Sequence, residues 1–540
     1  MRCGIIDAVV INAIVMLAKE TNEKKANENK VDRAEKRVLW FKEISSGDVA
    51  LVGGKNASLG EMFNNLAKEN VPVPNGFATS AYAYREFLQT DKLKERIKVA
   101  LKNLDVSDVK KLAIAGATVR KMILNSDLPA SLQTEIKTAY RKLSAEVGQK
   151  QVAVAVRSSA TAEDLPEASF AGQQETYLNV VGEKEVLVAV KKCVASLFTD
   201  RAISYRETKG FDHLEIALSA TVQLMVNASA GSSGVMFTLD TESGFPGVVL
   251  IDSSYGLGES IVKGRVTPDQ FYVFKAGVKK GKQAIISKIL GTKETKLVYN
   301  RNGGTAYGVV NKAEQNSFSI TDKEIIQLAK WGMAIEEYYH KPQDIEWAKD
   351  GASGKLYIVQ ARPETVKFRS DHSVIETYTL KNKSKILLTG TAIGQKIGAG
   401  RVKIINTPSK LRDFKKGDIL VTRITDPDWE PIMRIASAII TEQGGKTSHA
   451  AIVSRELGVP CIVGAAGARG ILSPGSPVTV SCAEGDEGNI YQGILPFEVK
   501  RVEIKKIPET KTKIMLNVGD PDNAFSLAAL PNHGVGLARE

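Results

Sequence analysis

The string TEQGGKTSHAAIVSRELGVPCIVG at 441–464 puts a histidine where its ring can work as a nucleophile and a phosphate carrier. Ala438, Ile439 and Ile440 read as a short apolar strand, Gly444 and Gly445 as a turn, and Thr447 and Ser448 as cap candidates for a helix. Gly458 occupies a natural C-cap position and Pro460 follows just beyond it. His449 therefore falls in the first helical turn, where backbone N–H groups without helical partners and the positive end of the helix dipole favour an anion. A phosphorylated imidazole is such an anion. A lone histidine is ordinarily a packed or capping residue; the surrounding glycines, hydroxyls and helix start reverse that order.

The same string resembles the phosphohistidine motif of the phosphoenolpyruvate-utilising enzymes. Thr441, Gly444, Gly445, Thr447, Ser448, His449, Ala450 and Ala451 meet it. The resemblance implies that His449 is the phosphorylated residue, with Thr447 and Gly445 in its catalytic loop.

A second set of residues is dispersed through the N-terminal part. A nucleoside triphosphate needs cations for its phosphates, carboxylate or amide oxygens for its magnesium, and close backbone approach at Gly-rich loops. Candidates are Lys55 in VGGKNAS, Arg157 in AVRSSATAEDLPEASFAGQQETYLNV, and the pair DIEWA and YIVQARPET. Glu346 and Gln360 fall on two predicted strands of a hairpin around DGASGK, so both side chains can face one cation. Lys55 does not fit a P-loop, and Gly256-Leu257-Gly258 does not open a GxGxxG. Taken singly, these residues read as surface lysines and structural salt bridges.

Taken together, residues 38–368 resemble the ATP-grasp nucleotide-binding domain of the same family. That resemblance implies ATP as substrate and Mg²⁺ as cofactor. Lys55, Arg157 and Arg362 match phosphate contacts, Asp344, Glu346 and Gln360 the metal and nucleotide end, and Gln223 and Met225 the neighbourhood of the adenine.

The last 30 residues, KTKIMLNVGDPDNAFSLAALPNHGVGLARE, read as strand, helix and strand. They resemble the opening of the family's phosphoenolpyruvate/pyruvate-binding barrel, with Arg539 matching an arginine used on the substrate. A complete (β/α)8 barrel needs about 250 residues, so the expectation is a C-terminally truncated chain competent only for the ATP half of the chemistry. The full reaction implied is ATP + pyruvate + water giving AMP + phosphoenolpyruvate + phosphate. The alternatives are a phosphate-dependent pyruvate dikinase, a rifampicin-type phosphotransferase, and a catalytically dead nucleotide-binding fragment.

These groups need several domains to hold them, and 540 residues suffice for three or four. The fold class expected is α+β: an ATP-grasp domain at 38–368, a polar linker at 369–386, a small β-rich swivelling phosphohistidine domain at 387–498, and the barrel opening at 510–540. Within the first, GGKNASLGEMFNNLAKEN predicts a Gly turn and a helix ending near Asn70, and 81–147 is helix-rich with a break at Asn125–Pro129. QVAVAVRSSAT predicts a strand, and TVQLMVNA and SGVMFTLD a strand pair around a Gly/Ser loop. The polar stretches 369–386 and 499–512 are the expected hinges.

Composition agrees with a folded multidomain chain: 43% hydrophobic and 25% charged residues exclude wholesale disorder. The formal charge of +12 fits anionic substrates or a lysine-rich surface. With cations spread along the chain and aromatics at 6%, nucleic acid is not an expected partner. Four cysteines without CxxC spacing argue against zinc and a disulfide scaffold and for a cytoplasmic enzyme. The apolar run 3–18 is short for a membrane span and carries Asp7, so no membrane partner is expected, and 1–37 reads as an extension from an overcalled start. A homo-oligomer is expected of the full-length enzyme by resemblance.

Overall fold

A computed structural model of the chain describes residues 33–106, 108–161, 164–165, 168–169, 175–300, 303–364, 374–407, 414–426, 429–503, 510–519, 524–528 and 530–538. The 1–32 part of the predicted extension and Arg539 lie outside the described residues. Two compact units divide the chain. One holds residues up to Asn64 and Asn75–Met225, the other Asn65–Pro74 and Val226–Glu540. The division falls inside the stretch expected as a single domain.

The first unit is built on an antiparallel five-stranded sheet. Its strands are β1 (Val38–Trp40), β2 (Gly76–Thr79), β3 (Val154–Ala160), β4 (Thr176–Val180) and β5 (Leu218–Leu224), in the order β1-β2-β5-β3-β4. Helix α1 (Val49–Asn65) starts four residues before the expected Gly turn and runs through it. Gly53, at φ 77, makes that kink. A methyl group there would lie 2.6 Å from the Ser159 carbonyl, so only glycine lets the helix approach β3 so closely.

Helices α2 (Ala81–Gln89), α3 (Leu93–Leu101), α4 (Val109–Asn125), α5 (Ala130–Glu146), α6 (Glu183–Ser196) and α7 (Asp200–Lys209) complete the unit. The predicted break falls where α4 ends at Asn125 and Pro129 caps α5. The helices supply Phe87, Ile97, Ile136 and Tyr140 to a core shared with Phe77, Val156 and Val222 of the sheet. Each such side chain contributes about 1.5–3 kcal/mol by leaving water.

The second unit opens with a six-stranded antiparallel sheet. Its strands are β6 (Ser232–Phe237), β7 (Val248–Tyr255), β8 (Asp269–Phe274), β9 (Ile285–Ile289), β12 (Gln343–Lys349) and β13 (Leu356–Pro363), in the order β9-β8-β7-β6-β12-β13. Between β9 and β12 come a hairpin, β10 (Thr295–Tyr299) with β11 (Thr305–Val309), and helix α8 (Asp322–Tyr339). A Thr321/Glu324 capping box opens α8.

The expected pairing of TVQLMVNA with SGVMFTLD does not occur: β5 belongs to the five-stranded sheet and β6 to the six-stranded one. The intervening segment turns through a 3-10 helix at Ala228–Ala230. Gly231 packs so tightly on Lys349 that a methyl group would lie 2.2 Å from that residue's carbonyl oxygen, which aims β6 at β12 instead.

After β14 (Val374–Leu380) comes a closed seven-stranded barrel. Its strands are β15 (Ile386–Ile393), β16 (Ile397–Ile404), β17 (Ile419–Thr422), β18 (Ala438–Thr441), β19 (Cys461–Val463), β20 (Pro477–Ser481) and β21 (Glu487–Gln492), in the order β15-β19-β18-β17-β16-β20-β21. Val402, Val421, Ile440, Ile462 and Val480 fill its interior. Helix α9 (His449–Leu457) connects β18 to β19.

The polar stretches read as free linkers are partly strand. Strand β14 pairs antiparallel with β22 (Phe497–Glu503), and Arg501 bridges Glu376 at 2.7 Å. Alternating β-branched and polar residues in VIETYTL and FEVKRVE suit a two-sided ribbon, a pattern that a composition reading scores as linker. Last come β23 (Leu516–Val518), α10 (Ala524–Ala528) and β24 (Val535–Ala538), with β23 and β24 paired in parallel as the strand-helix-strand reading requires.

Candidate active site

His449 is the first residue of α9, and Gly458 closes that helix at φ 66 by donating to the Ser454 and Arg455 carbonyls. Ser448 is the N-cap residue in extended geometry, yet its side chain makes no capping bond. Its hydroxyl is buried and has no partner among the described residues. The preceding turn closes by the Ser448 N–H donating to the Gly445 carbonyl at 3.0 Å, with Gly444 at φ 115. Strand β18 and the helix thus deliver the imidazole as the local sequence predicts. What orients it is not local: Thr425, buried just after β17, meets Nδ1 of His449 through its hydroxyl at 3.0 Å.

The His449 loop is seated on the six-stranded sheet through polar contacts. Thr447 donates its hydroxyl to the Asp252 carboxylate, which also accepts from Gln270 Nε2 at 3.0 Å. Lys446, 3% exposed, donates to the Tyr272 hydroxyl at 3.1 Å and to Asp486 at 3.0 Å, and its ammonium lies over the Tyr272 ring. Arg455 pairs with Glu242, whose other oxygen accepts the Gly394 N–H at 2.8 Å. Gly264 and Pro268, between β7 and β8, fit against Ser448 and Gly445.

The electrostatics follow from this burial. Burial pushes the Asp252 carboxyl up to about 6, against the lowering effect of the Thr447 and Gln270 hydrogen bonds and of Lys446 and Arg455. Burial would also raise the Glu242 carboxyl, but Arg455 and Lys446 outweigh it and hold it below its usual range. For Lys446, burial alone would favour the neutral amine; Tyr272, Asp486 and Glu242 more than offset that, so the residue stays cationic beside the histidine loop.

In the first unit, Lys55, Arg157 and Gln223 come to one face of the five-stranded sheet. Arg157 lies across from Thr221 and Ala155 from Gln223, so their side chains point alike. The start of α1 is tied to that face: the Asn56 amide donates to Ser219 at 2.8 Å and accepts from Thr221 at 2.7 Å, which places Lys55 beside β5. The Met225 N–H extends the register by donating to the Ala153 carbonyl.

In the second unit, Glu346 stands directly opposite Gln360 and Asp344 opposite Arg362, the arrangement read from the DGASGK hairpin. Arg362 grips Asp344 through Nε at 3.0 Å and Nη2 at 2.8 Å. Burial raises the Asp344 carboxyl, Arg362 opposes this and Glu346 adds to it. Two carboxylates and an amide oxygen on one face are an oxygen-rich set that suits a hard cation. No group of three or more His, Cys, Asp or Glu side chains among the described residues is arranged to hold a metal ion. No helix among them is long and apolar enough to cross a membrane.

Sequence reading missed Thr425, Asp252, Glu242, Lys446 and Arg455. One signal was available: VVLID at 248–252 ends an apolar run in a carboxylate, and Asp252 is fully buried.

A sheet face that gathers Lys55, Arg157 and Gln223 and a barrel that carries a histidine at a helix start describe the chain, and the family comparisons name its class. Residues 49–382 match the model for the pyruvate phosphate dikinase AMP/ATP-binding domain, and 414–485 that for the PEP-utilising enzyme mobile domain. The first match alone spans more than half of the chain, which therefore belongs to the pyruvate phosphate dikinase AMP/ATP-binding family.

Within that family the chain is 54% identical over 506 residues to the phosphoenolpyruvate synthase of Pseudomonas aeruginosa, covering 93% of this chain and 64% of the relative. It is 51% identical to the phosphoenolpyruvate synthase of Escherichia coli (93% and 63% covered) and 42% identical to that of Pyrococcus furiosus (93% and 66%). The chain thus spans about two thirds of the length of these curated relatives.

Proposed function

We propose that this chain carries out the ATP half-reaction of phosphoenolpyruvate synthesis from ATP, pyruvate and water, with His449 as the phosphoryl carrier. The observation that carries the reading is the His449 ring at the start of α9 with Nδ1 engaged by Thr425 at 3.0 Å. When Nδ1 holds the proton and Thr425 accepts it, the lone pair lies on Nε2. Nε2 attacks the β-phosphorus of ATP, the bond to the α–β bridging oxygen breaks, and AMP leaves. Water then cleaves the β–γ anhydride and releases phosphate, so one phosphoryl group stays on nitrogen. The enolate oxygen of pyruvate takes that group and restores the imidazole. A covalent intermediate divides one difficult transfer into easier ones.

Lys55 and Arg157 are assigned to the phosphates and Gln223 and Met225 to the adenine end, on an ATP-grasp framework. Glu346 and Gln360 would hold Mg²⁺, with Asp344 and Arg362 at the nucleotide end. The metal's contribution is to neutralise phosphate charge as the P–O bond breaks. The barrel carrying His449 is assigned as a swivelling domain, and Arg539 as a pyruvate contact.

ATP labelled at the β-phosphate tests the reading. Acid-labile, base-stable label on His449, with AMP and phosphate released and both lost in His449→Asn, is expected. An unlabelled chain in the presence of Mg²⁺ refutes it.

A further inference from the structure

Two buried donors beside His449 have no acceptor. Ser448 Oγ is one, on a residue 2% exposed. The other is Nε of Arg265, which lies in the connection from β7 to β8. The two are neighbours through Gly264: at φ +65, a methyl group on it would lie 2.9 Å from Ser448 Cβ, so this backbone touches the N-cap of α9. Pro268, further along, touches Gly445, so the connection flanks the turn that leads into the helix.

Arg265 forms no ion pair among the described residues. Its guanidinium lies over the Tyr307 ring, 5.2 Å from the centroid. Burial raises the Tyr307 hydroxyl; Arg265 and then Arg423 act to lower it, while Glu259 adds to the rise, so a second cation lies near the first. The carboxylate that acts on the same tyrosine, Glu259, is paired with Lys263. A partly buried cation without a counter-charge is costly. Here it adjoins a helix start whose N–H groups also favour negative charge.

We infer that Arg265, with Ser448 as hydroxyl donor, receives the phosphoryl group carried on His449, and that Tyr307 positions the Arg265 guanidinium by a cation–π contact. The inference rests on the phosphohistidine reading above. A tetrahedral dianion satisfies both unpaired donors at once, and a guanidinium suits its oxygens better than an ammonium does. The transfer is that already balanced: the new N–P bond forms as the β-phosphorus parts from AMP, and Arg265 and Ser448 meet the equatorial oxygens of that phosphorus.

The test is single-turnover labelling of His449 from β-labelled ATP, read as a saturating rate and a half-saturating ATP concentration. Losing one preorganised donor to a transferring group costs about 10²–10³ in rate. Arg265→Gln is therefore expected to lower the saturating rate about 100-fold or more while the half-saturating ATP concentration stays within about threefold. Arg265→Lys should regain part of that rate. Tyr307→Leu should lower the rate about tenfold and Tyr307→Phe should recover most of the loss, which a general folding defect would not do. A labelled wild type with Arg265→Gln at full rate, or with its defect wholly in ATP affinity, overturns this inference alone. An unlabelled wild type overturns the phosphohistidine reading, and this inference with it.

Discussion

Replacing Glu242 by Gln should loosen the seat of the His449 loop on the six-stranded sheet. Glu242 and Arg455 keep 13% and 5% of their side chains exposed, so the pair is largely out of water. Removing one partner of such a pair costs about 3–5 kcal/mol, chiefly because the other charge stays buried without compensation. Glutamine keeps an oxygen that can accept from the Gly394 N–H and from Arg455, so the cost falls to about 2–3 kcal/mol. At 1.36 kcal/mol per decade this is a shift of about 30- to 150-fold in the docking equilibrium. Hydrogen exchange followed by mass spectrometry reads it: peptides spanning 441–457 and 248–255 should exchange faster in Glu242→Gln, while those of the five-stranded sheet keep their protection. Combining Glu242→Met with Arg455→Met removes both charges and should recover part of the loss, giving a coupling of opposite sign to the single changes. Unchanged exchange in Glu242→Gln, or a double variant as loose as the sum of the singles, would refute the pair's role as a latch.

Asp252 makes the docking depend on pH. Its docked carboxyl titrates near 6 against an ordinary 3.8, so its contribution to docking is complete below about pH 4 and lost as pH rises through 6. The difference amounts to at most about 3 kcal/mol. Asp252→Asn should flatten the pH dependence of exchange in 441–457, corrected for intrinsic rates, between pH 4 and 7; an unaltered slope counts against the assignment. Thr425→Val should slow His449 labelling about tenfold, the worth of one hydrogen bond, and displace the pH–rate profile, while Thr425→Ser restores both. Gly264→Ala adds a methyl 2.9 Å from Ser448 Cβ at a φ of +65 and should slow labelling, whereas Gly470→Ala, where nothing lies within 4 Å, should not.

Local chemistry was legible in the sequence. The β18–turn–α9 unit was readable because strand, diglycine, cap and C-cap glycine are consecutive. The facing of Glu346 and Gln360 was readable because a short hairpin loop fixes register and a period of two fixes the face. The break between α4 and α5 was marked by Pro129. Longer-range features were not legible. The β5–β6 pairing failed because adjacency with a Gly/Ser loop predicts a hairpin, while the contact of Gly231 with Lys349 is visible only in three dimensions. Thr425 precedes His449 by 24 residues and Asp252 precedes Thr447 by 195, and neither spacing has a period that could flag them.

The makeup of the seam between the sheet and the barrel bears on the proposed carrier role. Permanent interfaces are mostly apolar, like a domain core cut in two. In this seam the side chains that meet include Thr447 with Asp252, Lys446 with Tyr272, and Arg455 with Glu242. Each contact replaces hydration almost one for one, so geometry is strongly specified while net affinity stays small. Asp252 is the clearest case, since burial works against its charge at neutral pH. On the proposed carrier role, a histidine that collects a phosphoryl group in one place and delivers it in another needs such a seat, one that aligns the ring and yet releases it. Exchanging Asp252 and Thr447 together for Leu and Val would replace those polar contacts with apolar ones. The outcome expected is tighter docking by hydrogen exchange and, on chains already labelled at His449, slower delivery from His449 to an acceptor. Delivery at an undiminished rate from a demonstrably tighter dock would show that release from this seat does not limit the carrier.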